Sequence, residues 1–346
     1  MTTGVRGPES GGRNNPWFVC GVHGLALEAE ERALLEELRP GGIVLFARNV
    51  ATREQLTSLI RELRELISRP YVAVDLEGGR VNRVRGLIGP LPSAAQAARA
   101  GIVAVRALGA AAGAACAHFG FGADFAPVVD VARPEGWLGA EARCLGGTPG
   151  DVRAAAEAYL QGLESAGVAA CLKHYPGLGS GAVDSHRELP LLDDSVAEDA
   201  AVFRALAVPG RAVMVAHALV PSLGEAACPA SLSRTVVTPL RSIAAPLLAD
   251  DLEMGALAAY GTIPERAAAA LGAGCDQVLL CNALAARREV VEHVTAAALR
   301  DPTLAALLRD SEARSAGYGH GELAHESWDN VLGFAEHARS LAGSDA

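Results

Sequence analysis

Short apolar runs alternate with helix-forming segments along most of this 346-residue chain. A short apolar run bounded by glycine, proline or charged residues is typical of a buried strand, whereas leucine and alanine at helical spacing are typical of an amphipathic helix. The runs that predict strands are residues 17–21, 42–46, 71–74, 123–131, 168–172, 212–217, 245–249 and 276–281. Strands that alternate with helices form a parallel sheet, and eight such units predict an α/β fold, a single-domain (β/α)8 barrel of the TIM type.

The two ends of the chain differ from this pattern and suggest three segments. Residues 1–15 are polar and rich in glycine, and we expect them to form a disordered lead-in. Residues 16–315 hold the alternating pattern and are expected to form the barrel domain, and residues 316–346 have the composition of a polar C-terminal tail. Half of the chain is hydrophobic but only 4% is aromatic, so small and branched side chains are expected to fill the core.

The charge and the cysteine content limit the classes of partner. A formal net charge of -10, without a basic cluster, argues against binding to nucleic acid or to an anionic membrane surface. The seven cysteines are scattered and lack metal-binding spacing, which is typical of free thiols in a reducing compartment. The first residues contain no apolar signal region, and no membrane-length apolar span lacks charges. We therefore expect a cytoplasmic protein, and the sequence leaves its oligomeric state open.

The residues best suited to chemistry follow three of the predicted strands. The glycine-rich stretch 173–186, after the fifth run, carries His186 two residues from Asp184, a carboxylate that would orient the ring and adjust its pKa. Charged residues also follow the third run, at Asp75, and the seventh run, at Asp250. Each set also has a structural interpretation, as a solvated turn or as a helix cap. Because the active sites of such barrels lie at the carboxyl ends of the strands, we expect these groups to meet there.

Three segments of the chain resemble one enzyme family. The segment KHYPGLGSGAVDSHRELP resembles the KHFPGHGxxxxDSHxxLP signature of glycoside hydrolase family 3, in particular its single-domain β-N-acetylhexosaminidases of the NagZ type. The segments DLEGGRVNRV and ADDLEMGAL resemble that family's DQEGGRVxRL and SDDLEMGA motifs. The resemblance covers most of the chain from Trp17 to Asn282. Three positions depart from it, because Leu178 replaces the usual second histidine, Leu76 a glutamine and Ala249 a serine.

The resemblance implies a role for each matched polar residue. Asp250 corresponds to the nucleophile, His186 to the general acid and base, and Asp184 to the residue that orients His186. Asp251, next to the nucleophile, is then expected to cap a helix. The residues implied to contact the sugar are Asp75, Arg83, Arg143, Lys173 and His174, of which Arg143 lies in a segment that matches the family weakly.

The implied function is the hydrolysis, with retention of configuration, of terminal β-linked N-acetylglucosamine from small glycans or muropeptides, as in peptidoglycan recycling. The partner is then a small carbohydrate, and neither a metal nor another cofactor is required. Three alternatives stay open: a β-glucosidase-like specificity, a non-catalytic sugar-binding barrel, motivated by the three departures, and a metallohydrolase using His174, Asp184 and His186. Glycine at 177, 179 and 181 also predicts that the loop before His186 is mobile.

Overall fold

Eight parallel strands form a closed barrel at the centre of the computed structural model, which describes residues 14–67, 70–243 and 245–343. Each strand pairs with the next along the chain, and the eighth pairs with the first. The strands are β1 Asn15–Cys20, β2 Pro40–Leu45, β3 Tyr71–Val74, β4 Ala123–Asp124, β5 Ala169–Tyr175, β6 Ala212–Val215, β7 Leu247–Asp251 and β8 Gln277–Leu280. The predicted single-domain (β/α)8 barrel is therefore confirmed.

Helices connect the strands and cover the outside of the barrel. Those of seven or more residues are α1 Ala29–Leu38, α2 Arg53–Leu66, α3 Ala94–Ala100, α4 Ile102–Phe119, α5 Pro149–Glu164, α6 Val196–Leu206, α7 Ile263–Ala273, α8 Arg287–Arg300, α9 Pro302–Ser315 and α10 Trp328–Ala342. Thr52 caps α2, because its side chain accepts a hydrogen bond from the backbone amide of Gln55. At the start of α7, Thr262 and Glu265 cap each other's backbone amides reciprocally.

The fourth strand is shorter than the sequence predicts. The prediction of a strand over 123–131 is wrong in extent, because regular pairing ends at Asp124. Beyond that residue the contact with β5 is irregular: Pro127 has no amide hydrogen to donate to the ladder, and an isolated bridge then pairs Val128 with Lys173. Before β4, the helices α3 and α4 meet at Gly101, whose φ of 106° lies in the region that favours glycine.

Two other strands end later than predicted, and this places polar residues on the barrel itself. β5 continues through Tyr175, so Lys173 and His174 are buried strand residues. Their assignment to a flexible loop is therefore wrong. β7 likewise includes Asp250 and Asp251. Side chains on strands of a closed barrel are held more rigidly than side chains on loops.

The segment after β3 forms a buried hairpin. Residues Leu76–Gly78 pair in antiparallel fashion with Val81–Asn82. The solvated turn considered for this segment is therefore wrong. Glu77 lies in this hairpin and is buried, because its strand packs between the barrel and the loops above it.

Apolar side chains fill the interior of the barrel. They include Val19, Val44, Ala73, Phe125, Met214, Leu248 and Leu279. At the amino-terminal end of the strands, the ring of Tyr318 packs edge-on against Tyr71, with ring centroids 5.1 Å apart. The Tyr71 hydroxyl donates a hydrogen bond of 2.7 Å to Gln277. This core closes the lower end of the barrel.

The C-terminal segment 316–346 contains more structure than its composition predicts. Up to residue 343 it includes α10, which buries Val331, Ala335 and Ala338 and packs mainly on α4. A face built largely of alanine gives a weak sequence signal, which explains why the segment has the composition of a polar tail. At the other end, residues 1–13 of the predicted lead-in lie outside the described residues, and Asn15 already belongs to β1.

The buried thiols and one apolar helix are relevant to the compartment that the sequence predicts. All seven cysteines carry free thiols, and all but Cys228 are buried. Among the described helices, α4 is long and apolar enough to cross a membrane, and 72% of it is buried within the fold. Its packing against α5 and α10 gives that apolar surface a role in the core.

Candidate active site

A cavity of about 420 Å³ lies at the carboxyl ends of the barrel strands. Apolar side chains of the barrel interior, namely Val44, Phe125, Met214 and Leu279, form part of its wall. All eight site residues predicted from the sequence line it, namely Asp75, Arg83, Arg143, Lys173, His174, Asp184, His186 and Asp250. The fold therefore brings the predicted residues together in one cavity, and their individual roles remain predictions.

Glu77 connects the predicted sugar-binding cations, although the sequence reasoning did not single it out. Its carboxylate accepts two hydrogen bonds from Arg143, at 2.9 and 2.8 Å. The ammonium of Lys173 lies 2.6 Å from the same carboxylate and donates to Asp75 at 2.8 Å. Asp75 also accepts a longer hydrogen bond, of 3.4 Å, from Arg83. The five side chains form one network, so each charge restricts the position of its neighbours.

This network keeps Glu77, Asp75 and Lys173 charged despite their burial. Burial alone would raise the pKa of Glu77, but Arg143 and Lys173 outweigh it and hold that pKa well below its usual range. Burial likewise opposes the ionisation of Asp75, yet Lys173 and Arg83 lower its pKa. Burial also disfavours the Lys173 ammonium, whose pKa is nevertheless raised by Asp75 and Glu77. At neutral pH the cavity therefore offers fixed charges and donors that suit the hydroxyl groups of a sugar.

Asp130 orients His174, and it is a second residue that the sequence reasoning did not single out. This fully buried carboxylate lies 2.8 Å from Nδ1 of His174 and accepts the backbone amides of His174 and Leu178. Because a carboxylate accepts hydrogen bonds, Nδ1 carries a proton, and Nε2 is the ring nitrogen left for the cavity.

Asp250, the predicted nucleophile, is an ionised carboxylate on β7. Burial alone would raise its pKa, but the neighbouring rings of His174 and His217 and the amide of Asp251, 2.8 Å away, lower it. His217 follows β6 and is fully buried. Its Nε2 donates to the carbonyl of Asp251 at 3.0 Å, and its Nδ1 accepts from the hydroxyl of Ser231 at 2.7 Å. Burial lowers the pKa of His217, which favours the neutral ring.

Asp251 holds loops together instead of capping a helix as predicted. Its carboxylate accepts the backbone amides of Glu253 and Cys281, both at 3.3 Å. Glu253 in turn accepts the amides of Asn282 and Ala283. These bonds tie the segment after β7 to the segment after β8, beside Asp250. Burial and the charge of Glu253 raise the pKa of Asp251 to about 7.

Asp184 and His186, the predicted orienting residue and acid/base, form a pair on the outer side of the cavity. Nδ1 of His186 lies 2.9 Å from Asp184, which also accepts the backbone amide of His186 at 3.0 Å. The His186 side chain is 66% exposed. Burial would raise the pKa of Asp184, but its hydrogen bonds with His186 lower it. With Nδ1 engaged, Nε2 is the atom that can exchange a proton with a bound molecule.

The loop that carries His186 is attached to the segment after β7. The amide of Gly255 donates to the carbonyl of His186 at 2.9 Å, and the amide of Ala256 donates to the carbonyl of Ser185 at 3.2 Å. Asp250 lies only five residues before Gly255. These backbone bonds therefore connect the backbone that carries His186 to the segment that follows Asp250.

Close packing explains two of the three glycines that predict a mobile loop. A methyl group on Gly179 would lie 1.8 Å from the carbonyl oxygen of Val131. Gly177 has a φ of 126°, and a methyl group there would lie 2.6 Å from the side chain of Asp199. Glycine is required at both positions by the space available. Mobility of the loop stays a prediction.

The three departures from the family motifs lie outside the cavity. Leu76, Leu178 and Ala249 are buried among apolar side chains, and none of these three described residues lines the cavity. The backbone amide of Leu178 still donates to Asp130, at 2.6 Å. The cavity therefore loses no polar group through these substitutions.

Glu77 and Asp130 carry a sequence signal that was available. Each follows or ends a buried run, and Glu77 stands inside the DLEGGRVNRV segment between the matched Asp75 and Arg83. Polar residues at the carboxyl ends of barrel strands are candidates for the site. The partners that they bind, however, come from other strands, and only the fold reveals those pairs.

A metal site is not formed by the described residues, among which no group of three or more His, Cys, Asp or Glu side chains is arranged to hold an ion. His174 is hydrogen-bonded to Asp130, and Asp184 and His186 are bonded to each other. The three residues considered for a metallohydrolase are therefore already engaged with other partners.

Cleavage of a glycosidic bond with retention needs a carboxylate that can attack the anomeric carbon and a second group that protonates the leaving oxygen. The ionised Asp250 and the imidazole of His186 are suited to these tasks, so the fold and the cavity define a glycoside hydrolase. Comparison with known families gives the same class. The sequence model of the glycosyl hydrolase family 3 N terminal domain matches residues 15–308, and the chain belongs to this family.

Similar proteins match along most of their lengths. The beta-hexosaminidase of Methylococcus capsulatus is 35% identical over 325 residues, which cover 89% of this chain and 95% of that protein. The beta-hexosaminidase of Stenotrophomonas maltophilia is 35% identical over 338 residues, covering 92% and 95%. The structure of NagZ from Neisseria gonorrhoeae in complex with N-trifluoroacetyl-D-glucosamine has a TM-score of 0.75 at 29% identity, covering 96% of this chain and 98% of that one. A family 3 β-N-acetylglucosaminidase from Paenibacillus gives 0.81 at 26%, covering 95% and 68%.

Proposed function

We propose that this protein is a retaining exo-β-N-acetylglucosaminidase, which removes terminal β-linked N-acetylglucosamine from small glycans or muropeptides. The observation that carries the proposal is that Asp250, half-buried and ionised, shares one cavity with the Asp184 and His186 pair. The names of the relatives, and the N-acylated glucosamine bound by the gonococcal NagZ, support the choice of sugar. A cavity of about 420 Å³ above a closed barrel core suits a terminal sugar unit and hence exo action.

The sugar-binding part of the cavity orients the substrate. Lys173, Arg143 and Arg83 donate hydrogen bonds to hydroxyl groups of the terminal sugar, and Asp75 accepts one. Nε2 of His174 faces the same ring. Because the network around Glu77 fixes these groups before substrate arrives, little ordering is needed on binding.

In the first step, a carboxylate oxygen of Asp250 attacks the anomeric carbon, and the bond from that carbon to the leaving oxygen breaks. The imidazolium of His186 gives its proton to this oxygen, so the aglycone leaves as an alcohol. The products of the step are a glycosyl ester on Asp250 and a neutral imidazole. Asp184 stabilises the imidazolium that precedes the transfer and keeps Nε2 directed at the substrate.

In the second step, the neutral His186 takes a proton from a water molecule whose oxygen attacks the anomeric carbon. The ester bond breaks and Asp250 leaves as a carboxylate. Two inversions at one carbon give net retention. The lowered pKa of Asp250 favours this departure, because a weakly basic carboxylate is the better leaving group.

We place this activity in the cytoplasm, in the recycling of peptidoglycan fragments. The acidic net charge and the free thiols of all seven cysteines support that setting. The aglycone is then the remainder of a muropeptide.

The proposal is tested by release of 4-nitrophenol from 4-nitrophenyl N-acetyl-β-glucosaminide and from the corresponding plain β-glucoside. We expect the wild type to prefer the acetamido substrate, and Asp250→Ala and His186→Ala to lose activity by a factor of at least about 10³. Proton NMR of the first-formed product should show the β anomer.

Other outcomes discriminate among the alternatives. A preference for the plain glucoside would assign a β-glucosidase-like specificity. A wild type that binds N-acetylglucosamine but releases no nitrophenol would instead assign a non-catalytic sugar-binding barrel. Initial formation of the α anomer would reject the covalent intermediate on Asp250.

A further inference from the structure

Trp137 forms part of the cavity wall and has no role in the functions assigned so far. This half-buried residue begins the short helix Trp137–Ala140, in the loop after β4. The guanidinium of Arg80 lies against its indole ring, 5.8 Å from the ring centroid, and forms a salt bridge with Glu141. Arg80 is 58% exposed, so this group lies toward the mouth of the cavity.

The indole belongs to the same side of the cavity as the His186 loop. The backbone amide of Trp137 donates a 2.9 Å hydrogen bond to the carbonyl of Gly181, five residues before His186. Next to it, a methyl group on Gly136 would lie 1.9 Å from the carbonyl oxygen of Gly179. The backbone carrying Trp137 is therefore packed directly on the loop that carries the acid/base, and the bonds involved do not use the indole.

The position relative to His186 identifies which part of a substrate Trp137 meets. A group that protonates the leaving oxygen lies beside the aglycone, and the network around Glu77 lies on the side of the sugar that is cleaved. Trp137 and Arg80, which line the cavity, are thus placed to contact the unit attached to that sugar.

The chemistry of this wall selects a particular aglycone. An aromatic face binds the C–H groups of a pyranose ring, while a guanidinium beside it donates hydrogen bonds to hydroxyl groups. Because Glu141 holds Arg80 and neutralises its charge, the wall carries no net charge that would favour an ionic group. We propose that Trp137 and Arg80 form a binding site for a second sugar ring, an inference that rests on the proposed function.

Binding measurements separate this site from turnover. In an Asp250→Asn background, which is expected to bind without cleaving, the β-1,4-linked disaccharide of N-acetylglucosamine and the free monosaccharide are titrated by calorimetry. We expect Trp137→Ala to weaken disaccharide binding about tenfold and Trp137→Phe to restore it to within about threefold, because phenylalanine keeps an aromatic face. Monosaccharide binding should change less than about twofold in both.

Kinetics provide a second readout, and Trp328→Phe provides the matched control, since Trp328 packs on Phe119 in α4, on the outside of the barrel. In the wild-type background, Trp137→Ala should lower kcat/KM about tenfold for the disaccharide and less than about twofold for the methyl glycoside of N-acetylglucosamine. Equal losses on both ligands would mean that Trp137 only supports the loop, and no loss on either would mean that it contacts no aglycone. Both results overturn the inference.

Failure of the proposed function gives a different result. If the wild type cleaves neither substrate but Trp137→Ala still weakens disaccharide binding selectively, the second sugar site stands and the hydrolase assignment falls.

Discussion

Replacing Glu77 by glutamine tests how much the charge network around the predicted sugar-binding cations contributes to stability. Glu77 and Lys173 are each 4% exposed, and Glu77 accepts three hydrogen bonds from Lys173 and Arg143. Glutamine has the same shape, but it removes the negative charge and directs an amide N–H₂ group at one of the donors. Breaking a buried ion pair by removing one partner costs about 3–5 kcal/mol. Because Asp75 still pairs with Lys173, we expect the free energy of unfolding to fall by about 3 kcal/mol, at the lower end of this range.

The assay is urea denaturation of Glu77→Gln beside the matched variant Glu157→Gln. Glu157 is 48% exposed and pairs with Arg153 one helical turn away, so its replacement should cost less than about 0.5 kcal/mol. Both variants replace a glutamate by glutamine, one at a buried position and the other at an exposed position. A difference between them of less than about 1 kcal/mol at pH 7 would refute the network argument.

The pH dependence gives an independent check of the same variant. The folded-state pKa of Glu77 lies well below its unfolded value, so its contribution to stability is fully present above about pH 4.5 and declines as the pH falls toward the folded-state pKa. The stability gap between the wild type and Glu77→Gln should therefore be constant from pH 8 to 6 and narrow below about pH 4.5. A gap that stays constant on acidification would contradict the assigned pKa direction.

Three further substitutions test other parts of the site. Gly179→Ala should reduce kcat more than about tenfold, since its methyl group would lie 1.8 Å from the carbonyl oxygen of Val131. The control Gly181→Ala should keep kcat within about threefold of the wild type, because its methyl group would lie 3.1 Å from the nearest atom and the φ of Gly181 is -64°. Similar kcat values for the two variants would refute the packing argument. Leu178→His should lower the urea midpoint by an amount equivalent to about 2 kcal/mol without raising kcat/KM, because the side chain is buried among apolar groups; a gain in activity would show that the family's usual histidine is missed here. Burial raises the pKa of Asp124 to about 7, so the folded state keeps a proton that the unfolded state releases near pH 4, and wild-type stability should fall from pH 4 to 7. The stability of Asp124→Asn relative to the wild type should therefore rise between pH 5 and pH 8. A difference between their thermal midpoints that does not change with pH would contradict the assigned direction of the pKa shift.

The alternation of strands and helices was enough to predict the barrel, because each unit has its own local signal. The end of β4 was less predictable, since regular pairing stops at Asp124 inside a run that is mostly apolar. The helix α10 was missed for a related reason, because its buried face is largely alanine. Both errors arise where the hydrophobic pattern alone is misleading. In β4 the pattern does not show where strand pairing ends, and in α10 the buried side chains are too small to stand out.

The predicted site residues converged because they follow strands whose ends meet in a barrel. What the sequence could not supply is the set of partners. Glu77 binds Lys173 across 96 positions of the chain, and Asp130 binds His174 across 44. Such pairs depend on strand order and register, which local patterns do not encode. For the same reason the sequence assigned Asp251 to a helix cap, although it holds two loops together.

Substrate and products share the mouth of the cavity, because Tyr71 and Tyr318 close the opposite end of the barrel. In the proposed mechanism, the alcohol released in the first step lies nearer this mouth and departs first, so water can take its place. The monosaccharide, which Lys173 is proposed to bind, then departs last. Its escape is expected to limit the turnover rate, and as it accumulates it should compete with fresh substrate for the vacated enzyme. A barrel closed at one end thus imposes an order of release and makes the enzyme responsive to the level of its own sugar product.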